Sequence, residues 1–235
     1  PYAAVWERRA TLSNIGHASA WHDETPPYGY TRGMKKAAPG TKKSTNKPKE
    51  RNSRLSAEDW AQAALDLIAE QGVAAVAVEP LARRLGVTKG SFYWHFPSRD
   101  ALLQAALERW ETVEQEAIFG ALEAITDPHE RLRGLILMVA SEMQTHVIYS
   151  ALLQALDHPI VQPVIGRVSE RRLEYLTAAF RQVGFDRPQA QHRARLAYSA
   201  YVGFLQLQLQ LPQSRLDHET YEQYIGHVME TLIPA

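Results

Sequence analysis

The chain has no cysteine, so no disulfide framework, thiolate nucleophile or cysteine-ligated zinc site is open to it. It also lacks any run of roughly 18 to 20 consecutive apolar residues, the length a membrane-spanning helix needs, and its first residues contain no apolar signal-peptide core. A soluble, cytoplasmic protein with no membrane partner is expected. Glycine-rich phosphate loops and nucleophile elbows are missing too, because the 13 glycines are spread singly. His146, His158, His192, His218 and His227 fall at neither His-x-x-x-His nor Glu-x-x-His spacing, which would align ligands on one helical face. No catalytic residue, metal or cofactor is therefore expected.

Excess charge of either sign is also absent, with 26 basic residues balancing 26 acidic ones. The balance hides an asymmetry. Residues 34–54 carry eight basic groups and one acidic, whereas 55–235 carry 15 basic and 22 acidic. A cationic arm on an acidic body points to a polyanionic partner or, equally, to a solvated run. Residues 1–53 hold Pro26-Pro27, Pro39-Gly40 and Pro48 without apolar periodicity, and read as a disordered basic tail. Met34 opens the basic run and is the expected natural start, with residues 1–33 foreign to the native chain.

From Ser56 the pattern turns helical. The 45% hydrophobic content is enough to bury a core, and Trp60, Ala61, Ala64, Leu65 and Ile68 recur at steps of three and four. Ser56 with Asp59 predicts a capped start near Ala57, and Gly72 a left-handed stop after Gln71. Pro80 suits a first turn, so Leu81, Ala82 and Leu85 predict a short second helix ending at Gly86. Thr88 is expected to cap a third helix, Lys89 to Trp94, crossing the second steeply as a helix-turn-helix. Ser98 caps a long fourth helix, and further segments are expected near 129–143, 147–156, 161–183, 189–211 and 218–232. The alternating Gln206–Leu211 stretch would read as strand alone, but it continues a helical pattern and stops at Pro212.

The segment Leu81-Ala82-Arg83-Arg84-Leu85-Gly86-Val87-Thr88-Lys89-Gly90-Ser91-Phe92-Tyr93-Trp94-His95-Phe96-Pro97-Ser98-Arg99 resembles the signature of the TetR (tetracycline-repressor-like) transcriptional regulators, closely from about Ser56 to Leu102. The resemblance implies an all-α fold. An N-terminal three-helix helix-turn-helix domain at 54–114 would precede a helical effector-binding and dimerisation domain at 115–235. Residues early in the third helix, Lys89, Gly90, Ser91 and Trp94, would meet base edges in a major groove that admits one helix. Thr88, Tyr93, His95 and Arg99 would hold phosphates, as the matching positions do in similar proteins. Each has a duller reading: Tyr93 as packing, His95 as a structural hydrogen-bonding group, Trp94 as an exposed aromatic. Arg83 and Arg84 are a solvated or phosphate-adjacent face. Two positions depart from the family: Ala77 stands where a Ser or Thr cap is usual, and Arg99 where Lys is common.

The family further implies a homodimer on a palindromic double-stranded DNA operator, usually repressing and released by a small-molecule effector of unknown identity. Ala197, Ala200, Tyr201 and Phe204, with Tyr221, Ile225, Val228 and Leu232, are candidate interface stripes. Trp110, Phe119, Met138, Met143, Tyr149, Tyr175 and Phe180 are candidate pocket residues, although such spacing also suits ordinary core. Two rivals are a helical enzyme, which the scattered histidines disfavour, and a ligand-binding protein without DNA affinity. Residues 55–100 hold four basic groups against six acidic, so the tail is expected to supply the non-specific attraction.

Overall fold

The computed structural model describes residues 55–141 and 143–233, with side chains except at 114–119, 121, 123, 141, 143–145 and 212. The proposed tail at 1–53 lies outside the described residues. Nine α-helices and two short 3-10 turns make up the described chain, which holds no strand. No described helix is long and apolar enough to cross a membrane.

Helix α1 spans Ala57–Gln71. Ser56, in extended backbone, accepts from the Asp59 amide through Oγ (3.2 Å) and donates its own amide to Asp59 Oδ2 (2.7 Å). This closes a capping box with Asp in the Glu position, and the two bonds from Ser56 hold the Asp59 carboxyl below its usual range. Gly72 ends the helix at φ 83°, ψ 172°. This is not the left-handed helical stop that the sequence implies but an extended positive-φ conformation, open almost only to glycine. It directs the chain into the Val73–Ala75 turn.

Helix α2 (Val78–Arg84) starts at Ala77 without a side-chain cap, and buries Leu81 and Ala82. Gly86, at φ 68°, turns the chain toward α3 (Lys89–Phe92). Two expectations fail here. Thr88 occupies the N-cap position, but its side chain makes no capping bond, and α3 stops at Phe92 instead of reaching Trp94. The amides of His95 and Phe96 both turn back onto the Phe92 carbonyl (2.9 and 3.0 Å), and Pro97 disfavours helix at Phe96.

Helix α4 (Arg99–Glu123) is capped by Ser98, which accepts from the Ala101 amide. Then come α5 (Pro128–Ser141), α6 (Met143–Leu153), α7 (Val161–Gln182), α8 (Arg187–Gln210) and α9 (His218–Leu232). The alternating glutamine-leucine stretch is helical through Gln210. Asp127, Asp186 and Asp217 cap α5, α8 and α9 through their carboxylates.

Two apolar cores result. The first packs Trp60, Leu81, Phe92, Leu103 and Leu107 together with Ile148, Leu152, Val164 and Leu205, so it runs from α1 through α4 into α6, α7 and α8. The boundary expected near 114 falls inside α4, and this core crosses it. The second gathers Leu122, Leu132, Phe180, Ala190, Ala194 and Leu232. Glu111, 8% exposed, ties α4 to α7 by accepting from Arg167 Nη2 (2.7 Å) and Arg171 Nη2 (3.1 Å). The Arg167 bond and then Arg171 hold its carboxyl low against the cost of burial.

Candidate nucleic-acid interface

The third helix is fixed from below by Phe92, which is fully buried. Its ring meets Trp60 edge-on (5.4 Å, 72°) and lies 5.8 Å from Phe96. With that anchor in the core, the opposite face is left to solvent. Lys89 and Gly90 are exposed and Ser91 is half-buried. Tyr93 is 57% and Trp94 88% exposed, an unusual state for large aromatics unless something covers them. At Gly90 a Cβ would meet only Thr88 Oγ1, at 3.8 Å. Its missing side chain therefore serves no packing inside the chain. Thr88 is exposed and His95 half-buried beside the same face.

Arg99 parts from this set. Its fork donates to the carbonyls of Val76 (Nε, 2.9 Å) and Val73 (Nη2, 3.1 Å) and to Asp100 (Nη1, 3.0 Å), with His158 Nε2 at 3.3 Å from Nη1. Nε and Nη2 thus brace the α1–α2 connection, while Nη1 faces Asp100 and His158.

Two salt links at this face are not legible from helical periodicity. Lys89 Nζ lies 2.9 Å from Glu79 Oε1, a link that raises the lysine and lowers the carboxyl. Arg84 grips Glu70 with both terminal nitrogens (2.7 and 2.8 Å) and reaches Asp66 at 3.9 Å. Both are exposed, so salt and competing anions weaken them.

The expected pocket residues are not brought together. Trp110 and Tyr149 stack in the first core (6.1 Å, 14°), whereas Met138, Tyr175 and Phe180 belong to the second, and the side chains of Phe119 and Met143 lie outside the described ones. A cavity of about 420 Å³ opens among α6, α7 and α8, lined by Tyr149, Leu153, Ser169, Tyr198 and Val202 among others. Among the described side chains of the expected set, Tyr149 alone lines it.

Several residues of the expected interface stripe are covered within the chain. Phe204 stacks on Tyr221 (5.7 Å) and Tyr224 (4.7 Å) of its own chain, and Tyr201 on Tyr149. Ala197, Val228 and Leu232 pack in or against the second core. Ala200 of the expected stripe is exposed, and beside it the outward face of α8 carries Leu196 (59% exposed), Gly203 and Leu207 (48%).

Comparison with known proteins gives the frame for these features. Residues 62–106 match the family described as bacterial regulatory proteins, tetR family. The chain is 30% identical over 113 residues to the uncharacterized HTH-type transcriptional regulator TtgW of Pseudomonas putida, covering 40% of this chain and 81% of that one. It is 30% identical over 113 residues to the HTH-type transcriptional regulator SrpR of Pseudomonas putida, where the match covers 40% of this chain and about half, 51%, of the relative. The crystal structure of AibR in complex with isovaleryl coenzyme A and operator DNA shares the fold, with TM-score 0.57 and 20% identity over 76% of this chain and 98% of that one.

Proposed function

This chain belongs to the tetR family of bacterial regulatory proteins, DNA-binding transcriptional regulators, and from that premise we propose that it is a homodimeric repressor released from a palindromic operator by a small molecule. The observation that carries the reading is the bare outer face of α3, where Gly90 leaves open space and Tyr93 and Trp94 stand exposed over a buried Phe92. Lys89, Gly90, Ser91 and Trp94 are assigned to base edges, and Thr88, Tyr93 and His95 to phosphates. Arg99 positions the α1–α2 connection beneath them.

The exposed apolar stripe Leu196, Ala200, Gly203 and Leu207 supports pairing of two copies through α8. A two-fold pair would set two recognition helices about one turn of DNA, roughly 34 to 36 Å, apart. The cationic run at 34–54 supports an added sequence-independent grip on phosphates. The cavity among α6, α7 and α8 supports an effector site, and AibR is a structural neighbour held with both an acyl coenzyme A and operator DNA.

Selection of bound sites from a random-sequence DNA library tests the reading, with fluorescence anisotropy on the selected duplex. Wild type is expected to enrich a palindrome that a Lys89→Ala, Tyr93→Ala double variant cannot hold. Removing residues 1–53 should weaken binding to all sequences and flatten its salt dependence. No enrichment at low salt would return the protein to the ligand-binding reading.

A further inference from the structure

Six acidic side chains lie between residues 55 and 100, the part of the chain that carries the recognition helix. Asp59 closes the α1 cap, Asp66 and Glu70 face Arg84, Asp100 faces Arg99, and Glu58 lies 3.8 Å from Arg109. Glu79 differs. It stands in the first turn of α2, and its partner is Lys89, the first residue of α3, with Nζ 2.9 Å from Oε1. Both residues are exposed. An exposed lysine–carboxylate link adds little to stability. A carboxylate on a face that approaches phosphates is also repelled by them, which lowers affinity for every DNA sequence alike. What offsets that repulsion is a donor on the DNA, and in the major groove the donors are the amino groups of cytosine and adenine.

The link has the capacity for such a contact. An ammonium carries three donors and a carboxylate about four acceptor sites, so after their mutual bond Lys89 keeps two N–H groups and Glu79 most of its lone pairs. The Lys89 bond and charge, with Arg83 adding to them, hold the Glu79 carboxyl below its ordinary range, so at neutral pH it accepts and does not donate.

The spacing fits as well. Within a guanine–cytosine base pair, guanine O6 accepts from cytosine N4, and such N–H···O bonds are about 2.9–3.0 Å long. Both groups also face the major groove. A donor and an acceptor held 2.9 Å apart on the protein match an acceptor and a donor equally far apart on one base pair, and the four close a ring of hydrogen bonds. An adenine–thymine base pair repeats the donor and acceptor, but thymine O4 is a single acceptor beside a methyl group. Guanine O6 and N7 together take both remaining Lys89 donors.

Resting on the reading of α3 as the recognition helix, we propose that Glu79 reads DNA bases, and that Lys89 and Glu79 together recognise one guanine–cytosine base pair in each half-site. Lys89 donates to guanine O6 and N7. Glu79 accepts from the groove-facing N–H of cytosine N4, and the bond between the two side chains keeps them in register.

The test is site selection from a random duplex library with the whole chain and with Glu79→Ala, followed by fluorescence anisotropy on the selected duplex and its single-pair substitutions. Wild type is expected to enrich a guanine–cytosine base pair in each half-site and to prefer it by about tenfold or more. Glu79→Ala should reduce that preference about tenfold at that position alone, while its affinity for unrelated DNA rises with the loss of a negative charge. Base analogues test the intact protein. N4-methylcytosine replaces the groove-facing N–H, and should weaken wild type about tenfold but Glu79→Ala less than about twofold. 7-Deazaguanine lacks the N7 acceptor, and should weaken wild type while sparing Lys89→Ala. A carboxylate that only suits the positive end of α2 would change the melting temperature, or affinity on all sequences alike, and leave the base preference intact. That result overturns the proposal, as does an adenine–thymine base pair at the position that Glu79→Ala relaxes, or an N4-methyl effect that is absent in wild type or equal in both proteins. An enriched palindrome with the same preferences in wild type and Glu79→Ala removes the proposal and keeps the reading of α3; no enriched site at low salt removes both.

Discussion

Arg99 Nη1 lies 3.3 Å from His158 Nε2, joining the first turn of α4 to the turn between α6 and α7. The other ring nitrogen, Nδ1, is 3.2 Å from the Ile160 amide, which donates to it. A neutral imidazole has one acceptor nitrogen, yet an N–H group addresses each of its two. Only one of the two contacts is a full hydrogen bond at a time. Arg99 also holds the Val73 and Val76 carbonyls, so the segment that sets the angle between α1 and α2 is registered against the α6–α7 turn through one side chain.

Arg99→Lys is therefore expected to destabilise the fold by about 1–3 kcal/mol in urea denaturation, because an ammonium cannot span the two carbonyls that the fork spans. Asp100→Asn, which touches only the exposed Nη1 contact, should stay within about 0.5 kcal/mol. Equal effects of the two substitutions would remove the strut role of Arg99.

Much of this was legible in the sequence, and the failures have physical causes. Capping residues and apolar spacing are local signals, so α1 and the capped start of α4 follow from Ser56, Ser98 and the periodicity around them. The roles of Arg99, Lys89 and Tyr201 are not local. Arg99 looks like a rim cation until the fold brings the Val73 carbonyl, 26 residues away, within 3.1 Å. Tyr201 looks like half of an interface stripe until Tyr149 stacks on it, and Ser169 gives no signal at all before Tyr198 is placed against it. Apolar stripes record that a face is covered, not what covers it.

Gly90→Ala separates the structural from the functional account of α3. The added methyl meets only Thr88 Oγ1 at 3.8 Å, and alanine is the better helix former, so stability should rise by up to about 1 kcal/mol. Operator affinity should nonetheless fall by about tenfold, since the methyl stands on the face assigned to the groove. Denaturation and anisotropy on one preparation check both; unchanged DNA affinity would take Gly90 out of the interface.

Leu196→Glu with Leu207→Glu tests the stripe on α8. Both side chains are largely exposed in the single chain, so the variant should keep the helical content and melting behaviour of an isolated subunit. Charged pairs facing one another across a two-fold axis would oppose association. Sedimentation equilibrium should show a dimer for wild type and a monomer for the variant, with loss of binding to a full palindrome. A variant that remains dimeric would move the interface elsewhere.

His146 gives the fold a pH dependence of defined sign. The residue is 5% exposed, its Nε2 is bonded to the Val139 carbonyl and its Nδ1 lies 2.8 Å from the Tyr201 hydroxyl. A carbonyl only accepts, so Nε2 carries the proton and Nδ1 takes the Tyr201 hydroxyl: the neutral ring satisfies both partners. Burial holds the ring below its ordinary value of 6.5; the Val139 bond works the other way, and the charge of Arg172 adds to the depression. Below that value the unfolded chain binds a proton that the folded chain refuses, so stability is present above about pH 6.5 and is lost as the pH falls. One such group contributes a slope of at most about 1.4 kcal/mol per pH unit. His146→Gln keeps a donor and an acceptor but cannot titrate in this range, so its urea midpoint should fall less than that of wild type between about pH 7 and pH 5. Parallel curves for the two proteins would show that His146 is not the group whose burial opposes protonation.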